Sequence, residues 1–368
     1  MRQRLNKIPG GRGTLESSSS SGESETEQTF ASESRFQYLA PNNLTELAEL
    51  LGKYLGQARI CAGGTDLLVQ ITEGVFHPTY LLSTSRLYGL DRIESKEGIL
   101  TIGSLATIRA IEKSPITNET FPVLAEAAHE VGSIQIRNVA TLGGNLCQNI
   151  KCAEYNQSHI SEFMRQSIRP CLKAGGTGCI APIDSVRHTV VGKGICRAPF
   201  ASDLGLALHC LDGSLTVVST RGERIIPVRQ FYNGPFEFDL KDDEFITQAS
   251  VSTEEPRLGS GFAKYKQTAN GSGIVAVAAS ILLEKDNTTC RSATISIGGV
   301  APTPYRASEA ESLLEGKRVR GEAIEKSCNK ILETVRQRGP ARSFKIALAR
   351  SLAKTALEKA AIHGDETQ

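Results

Sequence analysis

Leu44, Leu47, Leu50 and Leu51 recur at helical spacing behind the turn residues Pro41-Asn42-Asn43, and predict a helix from Asn43 to Tyr54. Gln57 to Cys61 reads as a short strand that breaks at Gly63-Gly64, and Tyr80 to Leu82 and Ile99 to Ile102 read as further strands. Ala106 to Glu112 and Val123 to Val131 read as helices. Short strands alternating with helices indicate an α/β or α+β domain.

From about Gly259 the pattern restarts. Gly261 to Lys266 is strand-like, Gly273 to Leu283 is an alanine-rich apolar run compatible with strand or helix, and Thr294 to Ile297 is a strand ending at Gly298-Gly299. Ser308 to Leu314, Gly321 to Val335 and Ser343 to Ala361 read as helices, the last with Ile346, Leu348, Leu352, Ala356 and Leu357 on one face. The charged segment Asp239 to Glu255, with Pro256, is the expected boundary between the halves. No repeat of a 20–50 residue period is visible.

Residues 1–33 differ in kind. A serine run from Ser17 to Ser21 is followed by Glu23, Glu25 and Glu27, with almost nothing to bury, so a disordered tail is expected. Arg2, Arg4, Lys7 and Arg12 lead into no apolar h-region, which argues against a secretory signal and makes the cytoplasm the expected location. The remaining composition is that of a globular protein, 40% hydrophobic and 22% charged. A net charge of +2 without a basic stripe argues against nucleic-acid binding, and no apolar run is long enough to cross a bilayer.

Nine cysteines in a chain of this length do not read as a disulfide framework. Cys61, Cys210, Cys290 and Cys328 stand in apolar surroundings and are expected in the core. Cys152, Cys171, Cys179 and Cys196 instead share one loop-like stretch with the spacing C-x18-C-x7-C-x16-C. The intervals are too wide for the paired knuckles of a zinc ribbon and lack the tight ferredoxin run. On spacing alone zinc, iron–sulfur and unligated thiols all remain open.

Two glycine loops precede that stretch. Ala62-Gly63-Gly64-Thr65-Asp66-Leu67 follows a strand, and Thr141-Leu142-Gly143-Gly144-Asn145 repeats the theme about eighty residues later. Glycine lets backbone N–H groups approach a phosphate, and two such loops suit a dinucleotide; Arg137, just upstream, is a candidate cation for it. The first loop lacks the spacing of a Rossmann G-x-G-x-x-G and the Lys of a Walker A loop.

The order of these loops, with Ile136 to Ala140 between them, Ser202-Asp203-Leu204 after them, and the runs Gly261 to Tyr265 and Ile297 to Ala307, resembles the FAD-binding subunits of the molybdenum hydroxylases. The resemblance spans about residues 35–364. It implies an α+β chain: a p-cresol methylhydroxylase-type FAD-binding domain of two α/β subdomains over 34–256, then a C-terminal domain with a small antiparallel sheet and helices over 257–368. It also implies that both glycine loops wrap the FAD pyrophosphate side, that Asp203 hydrogen-bonds the cofactor and that Lys264 lies near the flavin.

Most members pass from Gly-Gly-Asn to Ser-Asp within a few residues, whereas here an insert over 148–198 intervenes and holds the cysteines. Cys152, Tyr155-Asn156-Gln157-Ser158 and Cys171-Leu172-Lys173 make it similar to the insert of the 4-hydroxybenzoyl-CoA reductase beta subunit. That likeness implies a [4Fe–4S] cluster on Cys152, Cys171, Cys179 and Cys196, anchored on the FAD domain. The last interval is longer here than in that enzyme, which leaves Cys147 as the alternative fourth ligand. The implied activity is electron transfer in reductive dehydroxylation of an aromatic acyl-CoA. Its implied partners are a molybdopterin-binding large subunit, a [2Fe–2S] small subunit and a low-potential carrier such as ferredoxin. An oxidative xanthine or CO dehydrogenase-type subunit and a zinc-stabilised scaffold without redox activity are the alternatives. No catalytic acid or nucleophile is expected in the chain itself.

Overall fold

The computed structural model describes residues 36–149, 151–159, 170–182, 187–192, 194–255, 258–338 and 344–366. The serine-rich tail and Pro256 lie outside them. Three strands, β1 (Gln37–Leu39), β2 (Ala58–Cys61) and β3 (Tyr80–Ser83), form a parallel sheet in the order β1-β3-β2. Parallel pairing requires crossovers, here α1 (Leu44–Lys53) and α2 (Leu67–Thr72). The Asn43 carboxamide oxygen caps α1 by accepting from the Glu46 N–H at 2.9 Å, and the predicted leucine face buries Leu47 and Leu51.

A second layer is antiparallel, which makes the class α+β. Its strands are β4 (Ile93–Lys96), β5 (Ile99–Gly103), β6 (Ser214–Ser219), β7 (Gly222–Pro227) and β10 (Phe245–Ser252), in the order β4-β5-β10-β6-β7. Five short helices follow β5: α3 (Ile108–Lys113), α4 (Pro115–Thr120), α5 (Pro122–His129), α6 (Ile134–Arg137) and α7 (Leu142–Leu146). After the insert, with its helix α8 (Ala153–Gln157), come α9 (Asp203–Cys210), α10 (Val228–Phe231) and a two-stranded ribbon of β8 (Tyr232–Gly234) and β9 (Glu237–Phe238). The segment Asp239 to Glu255 is therefore more than a boundary. It contains β10, the central strand of this sheet, whose Phe245, Ala249 and Val251 are buried.

The C-terminal part has a four-stranded antiparallel sheet of β11 (Leu258–Lys266), β12 (Gly273–Leu283), β13 (Cys290–Gly298) and β14 (Tyr305–Arg306), with α11 (Ser308–Glu311), α12 (Glu322–Arg338) and α13 (Phe344–Glu366). The ambiguous run is a strand. Val275, Val277, Ala279 and Ile281 face the core under α12 and α13, while Ala276 and Ala278 enter the core around α5 and α9. A strand covered on both sides has no polar alternation, so period could not identify it. Both cores thus meet at β12.

The insert packs Tyr155, Cys171 and Ala198 with Val75, which follows α2, in a small apolar cluster. It is held from both sides. Val190 and Val191 N–H groups both donate to the Val300 carbonyl at 2.9 Å, tying it to the C-terminal part as well as to the FAD-binding domain on which it was expected to rest. Of the four cysteines expected in the core, Cys210, Cys290 and Cys328 are buried; Cys61 is only half-buried, beside the first glycine loop.

Candidate functional site

A cleft of about 850 Å³ opens between the two parts of the chain, within the size range of small-molecule sites. Its walls include Ala62, Gly63, Gly64, Thr65, Asp66 and Leu67 from the β2–α2 loop, and Thr141, Gly143, Gly144 and Asn145 from the start of α7. Asp203 from α9 and Lys264 from β11 complete the set. All the sequence-selected cofactor residues therefore line one space except Leu142, which is fully buried in the core beneath α7.

The glycines differ in role. A Cβ on Gly63 would lie 2.1 Å from the Val139 carbonyl oxygen, so this glycine lets the first loop pack on the residues leading into the second. A Cβ on Gly144 would meet only the Thr141 hydroxyl, at 3.2 Å, so its free side faces the cleft. Close approach of a ligand to that backbone is what the missing side chain permits.

Several polar residues of the loops are engaged by the protein itself. Thr141 caps α7, its hydroxyl accepting from the Gly144 N–H at 3.2 Å. Asn145 is buried, and its carboxamide oxygen accepts from the Ser202 hydroxyl at 2.9 Å and the Leu204 N–H at 3.2 Å. The Asp66 carboxylate accepts from Asn149 N–H at 3.2 Å and Gln70 Nε2 at 3.1 Å, and pairs with Lys151. Asn145 and Asp66 shape the cleft by joining segments distant in sequence, while Thr141 acts within its own turn.

Asp203 and Lys264 form an ion pair with Nζ 2.5 Å from Oδ2, both side chains nearly buried, and Lys264 also donates to the Glu130 carbonyl at 3.1 Å. Burial pushes the Asp203 carboxyl above its usual range, opposed by the Lys264 charge. The pair joins α9 to β11 across the cleft floor.

Arg137 does not supply the cation expected from its position. Its Nε donates to Glu112 at 2.9 Å and its Nη1 to the carbonyls of His129, Val131 and Gly132, so its guanidinium is spent on the protein behind the Val131-Gly132 wall of the cleft. Burial would raise the Glu112 carboxyl, but His129, Arg109 and Arg137 together hold it below the usual range. The cations that do line the cleft include Arg59, Lys151, Lys241 and Arg187. Arg59 lies 5.4 Å from the Phe76 ring, which in turn packs on Phe236 at 5.9 Å. This wall comes from three remote segments, and no local pattern in the sequence marks it.

Backbone bonds order the loops that carry the insert cysteines. The Leu172 N–H donates to the Gly178 carbonyl at 2.8 Å, which closes a tight loop between Cys171 and Cys179. A Cβ on Gly176 would lie 1.8 Å from the Pro170 carbonyl oxygen, so the loop closes only around glycine. Arg197, next to Cys196, donates to the Ala181 and Pro182 carbonyls at 2.7 Å, and its own carbonyl accepts from Thr189 N–H at 2.9 Å. Cys152 Sγ lies 3.5 Å from Nε2 of His188. Cys152 and Cys196 pack on the cluster that contains Cys171. Burial pushes the Cys152 thiol up to about 12 and also raises Cys196, so bare thiols here hold their protons and a metal would have to displace them. Cys147 belongs elsewhere: it lines the cleft and packs on the core around α7, with its thiol pushed up to about 12 by burial.

Residues 34–252 match the family described as "FAD binding domain in molybdopterin dehydrogenase", and 260–360 match "CO dehydrogenase flavoprotein C-terminal domain". This chain belongs to the FAD-binding molybdopterin dehydrogenase family. The aldehyde oxidoreductase FAD-binding subunit of Escherichia coli is 30% identical over 292 residues, covering 76% of this chain and 86% of that protein. The carbon monoxide dehydrogenase medium chain of Hydrogenophaga pseudoflava is 23% identical over 330 residues, covering 89% and 97%. Two solved structures share the fold. Carbon monoxide dehydrogenase from Hydrogenophaga pseudoflava superposes with a TM-score of 0.69 at 22% identity, covering 89% of this chain and 98% of that one. Quinoline 2-oxidoreductase from Pseudomonas putida 86 gives 0.68 at 20% identity, covering 90% and 98%.

The family's FAD fits the cleft by its volume, the open side of Gly144 and the pairing of two glycine loops on one wall. Among the described residues no helix is long and apolar enough to cross a membrane.

Proposed function

We propose that this chain is the electron-transfer subunit of a molybdenum-dependent oxidoreductase, holding FAD in the cleft and a [4Fe–4S] cluster in the insert. The reaction served is reductive dehydroxylation of 4-hydroxybenzoyl-CoA or a related aromatic acyl-CoA. Bound flavin and iron–sulfur groups supply electron storage and relay. The chain's residues bind and position them: Gly63, Gly64, Thr65, Gly143 and Gly144 by backbone approach to the FAD phosphates, and Asp203 with Lys264 at the opposite side of the cleft. Cys152, Cys171, Cys179 and Cys196 are the cluster ligands in this reading.

One observation supports the insert reading above the rest. Ser158, the last residue of the Tyr-Asn-Gln-Ser run, is buried and its hydroxyl accepts from the Cys171 N–H at 3.2 Å. The run thus joins the first cysteine's helix to the second cysteine, which gives a physical reason for motif and thiols to occur together. A molybdopterin-binding subunit, a [2Fe–2S] subunit and a ferredoxin-type reductant are the partners this function requires.

A second reading, oxidative hydroxylation, is favoured by the names of the relatives, an aldehyde oxidoreductase and a carbon monoxide dehydrogenase. Anaerobic purification of the complex, with flavin, iron, sulfide and zinc analysis, tests the cofactors. Turnover of 4-hydroxybenzoyl-CoA with reduced ferredoxin, against oxidation of aldehydes or purines, tests direction. Flavin without iron, or zinc in place of iron, would reject the cluster; oxidation alone would reject the reductive assignment.

A further inference from the structure

We propose that His188 is a positioning residue for Cys152, donating from Nε2–H to the ligating sulfur and thereby raising the reduction potential of the insert's cluster. This rests on the reading that the insert holds [4Fe–4S]. His188 is 3% exposed, and its Nε2 lies 3.5 Å from Cys152 Sγ and 3.3 Å from a Glu154 carboxylate oxygen. Cys152 Sγ is itself 3.3 Å from that same oxygen.

The bare thiol satisfies this contact by donating its hydrogen to the carboxylate. A ligating Cys152 is a thiolate and has no hydrogen to give, so two anionic atoms would then face each other. A proton is needed between them. Among the described residues, His188 Nε2 has the geometry to share one with both. Reduction adds negative charge to the cluster and its sulfurs, so a donor held at Sγ stabilises the reduced form more than the oxidised one.

The backbone that carries the imidazole is fixed by the C-terminal part of the chain. Lys345, at the start of α13, is fully buried and its Nζ donates to the His188 carbonyl at 2.8 Å and the Gly299 carbonyl at 2.7 Å. The next two residues are held as well, Thr189 N–H by the Arg197 carbonyl and Val190 N–H by the Val300 carbonyl, each at 2.9 Å. His188 is therefore set by the junction of insert, Cys196 segment and C-terminal sheet.

The Cys152–Glu154–His188 triangle is also the size of three ligands on one tetrahedral zinc ion, whose bonds of about 2.0–2.3 Å place ligand atoms ~3.5 Å apart. Such an ion would leave Cys171, Cys179 and Cys196 without a role, which favours the hydrogen-bonding assignment.

The test uses the anaerobically purified complex with the parent, His188→Gln and His188→Phe, each analysed for iron, acid-labile sulfide and zinc and titrated by EPR-monitored reduction. Glutamine keeps an N–H donor at similar reach; phenylalanine keeps the ring volume without one. We expect parental iron and sulfide in both. The potential should fall in His188→Phe by about tenfold in the reduction equilibrium, ~59 mV for one electron, with partial recovery in His188→Gln. An unmoved potential with iron intact overturns this inference alone. Iron lost from both variants makes His188 a ligand and also overturns it. A parent without iron, or with one zinc per chain, overturns the cluster reading and this inference with it.

Discussion

The Asn145 carboxamide oxygen accepts a hydrogen bond from the Ser202 hydroxyl at 2.9 Å, across 57 positions of sequence. The same oxygen accepts from the Leu204 N–H, so the end of the second glycine loop is joined to the first turn of α9. The chain leaves at Asn145, builds the whole cysteine insert and returns to the residue it left. An insertion closed at its base in this way keeps the second glycine loop joined to α9.

Asn145→Ala should leave the Leu204 N–H and the Ser202 hydroxyl short of a buried acceptor. Each orphaned buried donor costs about 1–3 kcal/mol, so thermal unfolding should show a clear loss of stability. Flavin content should fall with it, because Asp203 is carried on the released turn. A variant with parental stability and flavin would refute the joining role.

Gly63 and Gly144 should separate packing from ligand approach. Gly63→Ala drives a Cβ to 2.1 Å from a backbone oxygen and should lower the midpoint of thermal unfolding with or without flavin. Gly144→Val meets only a threonine hydroxyl, so the apoprotein should unfold near the parental midpoint while bound flavin is lost. Full flavin occupancy in Gly144→Val would exclude that backbone as a contact of the cofactor.

Lys264→Met removes the partner of a buried carboxylate, a change worth roughly 3–5 kcal/mol when the remaining group stays charged. The Asp203 carboxyl is already pushed up by burial, so the folded state binds its proton more tightly than the unfolded state does. Stability from this group therefore falls as pH rises above the usual carboxylate range. Without Lys264 the folded carboxyl rises further and the decline extends to higher pH. Chemical denaturation of parent and variant from pH 4 to 8 should show the difference between them widening with pH; a difference independent of pH would contradict the pairing.

Serine substitution at Cys152, Cys171, Cys179 or Cys196 should each remove iron and acid-labile sulfide, while Cys147→Ser should keep both. Cys147 lines the cleft and packs on the α7 core, not on the insert cluster. Iron retained in Cys196→Ser but lost in Cys147→Ser would reverse the assignment of the fourth ligand.

Arg137→Met should destabilise the chain without a specific effect on flavin. Arg137 holds Glu112 and the carbonyls of His129, Val131 and Gly132, and does not itself line the cleft. With Arg137 present, the depressed Glu112 carboxyl contributes stability above its unfolded pKa, and that contribution is lost as pH falls through the folded value. The variant should therefore lose more stability at neutral pH than in acid, with parental flavin affinity in its folded fraction. Weakened flavin binding at parental stability would return Arg137 to the cofactor site.

Local patterns determined the helix of Leu47 and Leu51, the two glycine loops and the grouping of thiols, because each depends on neighbours within a few residues. The α12 and α13 stretches were legible for the same reason, as amphipathic faces. Tertiary structure decided the rest. β12 could be assigned only when both of its faces were seen to be covered, since burial on two sides erases the period that distinguishes strand from helix. Arg137 has the chemistry of a phosphate ligand, yet the carbonyls around the end of α5 capture it. Asp66 and Asn145 stand in the glycine loops, but the groups they fasten lie 83 and 57 positions away, which no local pattern shows. His188 carried no signal of its own: its place beside Cys152 is fixed by Lys345 from 157 positions downstream. Sequence spacing records which groups are available, and only the folded chain's long-range hydrogen bonds and packing decide which of them share a site.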